Sequence, residues 1–166
     1  KNTAVYTVSI VVILMFMSLM FALWMFKDRK INKFAQTAFF TPHLVAAVSC
    51  AFIFSWLFSS DTYGLFNTIL KIFGVAPVNW LGDTRTAMFC IIFMNTWKSI
   101  GYYALILMSA LKAIPPEIYE AARLDNASSR KTFWKITLPM LSPQLFFMLI
   151  TITIGSFKVF DSVRLM

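Results

Sequence analysis

Residues Ile114–Pro143 read IPPEIYEAARLDNASSRKTFWKITLPMLSP. This is a polar island between long apolar runs, and its reading orders everything around it. Pro115 and Pro116 end one helix and open another, because proline suits a first turn where its missing N–H costs nothing. Glu117 and Glu120 lie toward the positive, N-terminal end of that helix. Ile118, Ala121 and Ala122 share a face at spacings of three and four, and the two alanines make that face shallow. Asp125-Asn126 then turns the chain. Helices commonly end on a left-handed residue, usually glycine and sometimes asparagine, and Asn126 adopts that conformation at modest strain. Ser128 or Ser129 caps a following helix that carries Phe133, Trp134, Ile136 and Leu138. Two short helices at an angle cannot build a core of their own. They form either a docking element for a partner or a long connection with incidental helix.

The flanks are far less polar. Of 166 residues, 59% are hydrophobic and only 13% are charged, with a mean hydropathy of +0.73. A soluble domain carries about a quarter charged residues, so this surface is expected to face lipid. Four runs, residues 4–26, 39–58, 87–111 and 140–160, reach the roughly 20 residues that a helix needs to cross a bilayer. They read as helices because backbone polar groups in lipid must be satisfied internally, whereas barrel strands alternate over about ten residues. The expected fold is an all-α membrane protein, a polytopic bundle of about four transmembrane helices. The chain opens without Met, shows no signal peptide and stops abruptly at Met166, as a piece of a longer protein would.

Net charge is +8. The charges sit in clusters between the runs rather than along one face, which argues against nucleic acid. Lys27, Arg29, Lys30 and Lys33 follow the first run, and Lys112, Arg123, Arg130, Lys131 and Lys135 follow the third; only Lys71 and Arg85 lie between the second and third. The positive-inside rule then places residues 27–34 and 112–135 in the cytoplasm, and residue 1 and the tail outside. In the outer loop, Leu65, Ile69 and Ile72 or Phe73 share a face, with Asn67, Thr68 and Lys71 off it. That pattern is either an interfacial helix or an ordinary structured loop. Trp80 is expected at headgroup depth. Asp61 and Asp83 are either solvated or in touch with an external protein.

Within the spans, Asn95, Lys98, Ser99 and Tyr102 fall on one helical face, and Thr151, Gly155 and Lys158 fall on another. Ionisable residues in a span usually face a cavity or a partner, so the two faces are candidates for lining one water-filled path. An amide, hydroxyls and an aromatic ring suit sugar. Lys98 has a structural pairing inside the bundle as its alternative, and Lys158 can snorkel to the surface. If both lysines face the path, an acidic sugar becomes attractive. His43 is either an interface residue or a ligand. Cys50 and Cys90 read as small buried hydrophobes, with no Cys/His cluster for a metal.

The order Glu-Ala-Ala, three residues, a turn residue, nine residues and Ile-x-Leu-Pro (120–139) resembles the EAA motif. That motif marks permease subunits of binding-protein-dependent ATP-binding cassette importers, here the carbohydrate, maltose-type branch. FFTPHLVAAV (39–48), YGLFNTIL (63–70), VNWLGD (78–83) and GSFKVFDSV (155–163) are similar to stretches of those permeases in the same order. Asn126 departs from the family's glycine. Such permeases also begin with another span and continue into a final one.

The resemblance implies that the first short helix is a coupling helix docked in a cleft of a separate ATPase, with Glu117, Ile118, Glu120, Ala121, Ala122, Asp125 and Asn126 as the docking set. Ala121 and Ala122 would supply the close fit, and Glu120 would pair with a cation. It implies sugar contacts from the third and fourth spans. The implied partners are an ATPase dimer, a second and related permease chain and an extracytoplasmic solute-binding protein, in a bacterial-type inner membrane. The chain has no GxxxxGK[ST] loop, so ATP and magnesium belong on the ATPase, and no cofactor is expected here. Without HExxH, GxSxG or paired membrane aspartates, the chain reads as a non-enzyme. The alternatives are another cargo, a polyol or glycerol phosphate, or a secondary carrier.

Overall fold

Asn2–Met25 forms the first helix, α1, of a computed structural model that describes residues 2–27, 30–60 and 64–158. Expectations placed on Lys1, Arg29, Asp61 and residues 159–160 lie outside the described residues. The buried side of α1 is a seam at three- and four-residue steps: Tyr6, Ile10, Leu14, Ser18, Ala22 and Met25. Ser18 and Ala22 are fully buried. Small residues let helix backbones approach closely in lipid, and the Ser18 hydroxyl donates to the Leu14 carbonyl within its own helix. The opposite side exposes Val8, Val12, Phe16 and Met20, as a lipid-facing surface should.

The second apolar run is not one straight span. Lys30–Leu44 forms α2 and Ala47–Leu57 forms α3, with their axes 98° apart across Val45 and Ala46. Pro42 has no N–H to donate within the last turn of α2. Val45 N then closes back onto Pro42 O (3.3 Å), and Ala46 is extended, with φ −57° and ψ 140°. α2 also starts well before the apolar run. The Asn32 side chain, 3% exposed, donates to the Lys27 and Trp24 carbonyls and so ties the α1–α2 turn.

Leu65–Ile72 forms α4, so of the two readings left open for this loop it is the short helix that forms. Leu65, Ile69, Ile72 and Phe73 expose an apolar face, while Asn67 is buried. Thr84–Lys112 forms α5, 29 residues long, or about 43 Å at 1.5 Å per residue. It therefore separates α4 from Pro116–Leu124 (α6) at the other end. Ser129–Thr132 (α7) runs through a π-helical turn, Phe133–Thr137, into Leu138–Phe157 (α8). The last helix thus begins eleven residues before Met140, with its start at Ser129. An ordinary α-turn would drive the Pro139 ring into the carbonyl four residues back. The widened turn relieves that clash, with Leu138 N bonding Phe133 O, five residues back.

Among the described residues, three helical stretches are long and apolar enough to cross a membrane, Asn2–Met25, Thr84–Lys112 and Ser129–Phe157; the bent pair α2–α3 makes a fourth if it counts as one span. α1, α5 and α8 share the main core, with Leu14, Ala104, Leu107, Leu141 and Met148 almost fully enclosed. α3 and α5 share a second cluster built on Cys50, Phe54, Phe58, Cys90 and Met94. Both cysteines are free and buried. α2 crosses α5 at Gly101, where a β-carbon would collide with the backbone of Phe39 and Phe40.

Candidate functional site

The α6–α7 corner is built by its local sequence. Asn126 has φ 51°, and among the described residues it is the one non-glycine with positive φ. Ala127 N bonds Ala122 O at 2.9 Å and Asn126 N bonds Arg123 O at 3.0 Å, which is a Schellman turn with asparagine in the usual glycine position. Ser128, rather than Ser129, caps α7: its hydroxyl accepts from Lys131 N at 3.3 Å.

The presentation of α6 differs from the expected shallow alanine face. Ala122 is 6% exposed, and Ile118 and Tyr119 pack onto the main core. The reason is the i, i+4 pairing of Ile118 with Ala122, which gives α6 an inward side. Outward are Glu117, Glu120, Ala121, Leu124, Asp125 and Asn126. Leu124, at 85% exposure, belongs to this outward set, though the Ile118–Ala121–Ala122 pattern does not point to it. Behind α6 lies a cavity of about 470 Å³, lined by residues that include Leu23, Leu111, Tyr119, Phe133 and Thr137. Across it the hydroxyls of Tyr119 and Thr137 are 3.3 Å apart.

The polar residues of the spans do not all line one cavity among the described residues. Asn95, Ser99 and Gly155 meet at a cavity of about 130 Å³ with Tyr6, Tyr103 and Ser156. There the Ser156 hydroxyl donates to the Thr7 hydroxyl (3.0 Å), while the Asn95 amide donates to Ile91 O of its own helix (3.0 Å). Lys98 and Tyr102 turn toward α2 instead. The Lys98 ammonium donates to the Val45 carbonyl, and Tyr102 stacks on His43 with ring centres 4.4 Å apart and planes 7° from parallel. The pairing alternative is therefore the one that the geometry favours for Lys98, at the negative C-terminal end of α2. The Thr151 hydroxyl donates to Phe147 O of its own helix (3.0 Å). Lys158 caps the end of α8 and is exposed.

Trp80 is not free at the surface. Its Nε1 donates to Asn67 Oδ1 at 2.9 Å, and its ring packs beside Phe58 and Phe66. Asn67 also donates to Ser59 O (3.2 Å) and Val78 O (3.0 Å) and accepts from Val78 N (3.1 Å). On the side of α4 opposite its exposed apolar face and only 2% exposed, it is the hub of the α3–α5 connection. Its solitary polar spacing gave no hint of this role.

Fold and site together define a polytopic α-helical membrane protein with a hydrogen-bonded helix–turn–helix at one end of its bundle. Residues 2–165 match the model of a family described as "Binding-protein-dependent transport system inner membrane component", and the chain belongs to that family. It is similar to the trehalose/maltose transport system permease protein MalF of Thermococcus litoralis, at 49% identity over 100 residues covering 60% of this chain and 34% of that one. It is also similar to the arabinooligosaccharides transport system permease protein AraP of Bacillus subtilis, at 33% identity covering 96% and 51% respectively. The chain thus spans from about a third to about half the length of these relatives. Its fold matches a crystal structure of a bacterial ABC transporter involved in the import of the acidic polysaccharide alginate, with TM-score 0.83, 26% identity, and coverage of 92% of this chain and 54% of that one.

Proposed function

We propose that the chain is part of the membrane-spanning permease subunit of an ATP-driven sugar importer. The observation that carries this is the outward face of α6, Glu117, Glu120, Ala121 and Leu124, held at a fixed angle by the Asn126 turn. An apolar knob among carboxylates, presented on a rigid corner, fits a cleft on a separate ATPase. Glu117 and Glu120 favour a cationic rim. The corner lies in the cytoplasm, in agreement with the cations of residues 27–34 and 112–135, and α4 lies in the outer interface. An ATPase dimer binds ATP and magnesium, a related permease chain completes the path, and an extracytoplasmic binding protein delivers the cargo. Names of relatives that refer to trehalose, maltose and arabinooligosaccharides support a carbohydrate cargo.

The cavity of Tyr6, Asn95, Ser99, Tyr103 and Ser156 offers hydroxyls, an amide and rings without a charged group. Lys98 is engaged with Val45. This favours a neutral sugar over an acidic one. A solute screen on the complete complex tests the reading: neutral oligosaccharides with their binding protein should stimulate ATP hydrolysis. Failure of an ATPase to co-purify with the full-length protein would defeat it.

A further inference from the structure

The geometry points to a positioning role for Tyr119 and Thr137: their hydroxyl pair carries movement of α6 into α8, through the π-helical turn Phe133–Thr137. The inference rests on the reading of α6 as the ATPase-docking helix.

Along the chain, α6 is poorly connected to the spans. Pro115 and Pro116 interrupt the helical hydrogen bonds between α5 and α6. Asn126–Ser128 interrupt them again before α7. Force applied to α6 must therefore travel through side chains. Ile118 and Ala122 make apolar contacts, which resist compression but allow sliding. Tyr119 differs, since it offers a directional bond to Thr137 at 3.3 Å. Thr137 is 6% exposed, and it lines the cavity behind α6 together with Tyr119, Glu120, Arg123, Ser129 and Thr132. The bond is worth about 0.5–1.5 kcal/mol net, enough to bias the pair toward its closed state as α6 moves while leaving overall stability nearly unchanged when it is removed.

Thr137 is also the last residue of the π-helical turn. A π-turn holds one residue more than its α-helical neighbours, and such turns are rare and frequent at functional sites. Passing the extra residue along the helix moves each turn it crosses by one residue, about 1.5 Å of rise. The far end of α8 carries Ser156, bonded to Thr7 of α1, and lines the interior cavity. A pull on Thr137 is thus applied to a turn that can change register, in a helix that reaches the cavity.

The test uses the full-length protein in its assembled importer, in liposomes with the ATPase and binding protein. Uptake per ATP hydrolysed, ATPase co-purification and apparent Tm are measured for Tyr119→Phe, Thr137→Val, the double variant and Thr137→Ser. Each single removal should lower uptake per ATP by about threefold to tenfold, the factor expected for loss of one hydrogen bond's coupling. ATPase binding and Tm should stay at wild-type values. The double variant should be no worse than the poorer single, and Thr137→Ser, which keeps the hydroxyl, should retain most of the activity. Unchanged uptake per ATP in both singles, additive losses, or losses that follow a fall in Tm would overturn the inference. Wild-type protein that brings down no ATPase would overturn the parent reading as well, and that failure is separate from any of the others.

Discussion

The Lys98 ammonium, on α5, donates to the carbonyl of Val45, 53 residues earlier, at the break between α2 and α3. One side chain thereby supplies a donor to a carbonyl at the break between the two helices. One turn along, Tyr102 stacks on His43 of the same α2 end.

Replacing Lys98 by Met should therefore act on stability rather than on cargo. Val45 O would lose its donor, at a cost of about 1–3 kcal/mol. The apparent Tm in detergent should fall, while the KM for a neutral sugar changes by less than about twofold. A large rise in KM with unchanged Tm would return Lys98 to the path.

Gly101 and Gly155 make a paired test of helix approach. A β-carbon at Gly101 meets the backbone of Phe39 and Phe40, while one at Gly155 meets nothing within 4 Å. Gly101→Ala should destabilise by about 1–3 kcal/mol through overpacking. Gly155→Ala should be neutral or stabilising by up to about 1 kcal/mol, because glycine weakens a helix interior. Thermal unfolding of the two variants in the same detergent checks both signs.

Asn67→Ala removes the acceptor of Trp80 and of Val78 N together with the donor to Val78 O and Ser59 O. The 64–83 segment should loosen without loss of the α1–α5–α8 core. Trypsin should cut at Lys71 or Arg85 several-fold faster than in wild type, at unchanged far-UV circular dichroism. Equal cleavage rates would contradict the hub.

Asn126→Gly should preserve the corner, because glycine meets no penalty at φ 51°. Asn126→Val should cost about 1–2 kcal/mol and weaken ATPase binding by disturbing the angle of α6. Co-purified ATPase per permease reports the difference.

Much of this architecture is legible in the residues, where the determining interactions are local. The apolar runs foretell the long helices, Leu65 and Ile69 give a helix at 65–72 as one of two readings, and Asn126 with Ser128 or Ser129 foretells the corner, because turns and caps form between near neighbours. The unread features depend on contacts across the bundle. Nothing near Val45 announces that Lys98 will hold its carbonyl. The face shared by Asn95, Lys98, Ser99 and Tyr102 is one stripe by periodicity, yet it divides because α1 and α8 cover one edge and α2 the other. Ala121 and Ala122 are equivalent by type and differ only in which one faces the core.

The account turns on α6 docking a separate ATPase through its outward face. Single cysteines at Ala121 and at Leu124 in the full-length protein, each combined with Cys50→Ala and Cys90→Ala, should cross-link to the co-expressed ATPase. A cysteine at Ile72 on α4 should not. Cross-linking from Ile72, or none from either Ala121 or Leu124 in a complex that still hydrolyses ATP and imports its cargo, would contradict it.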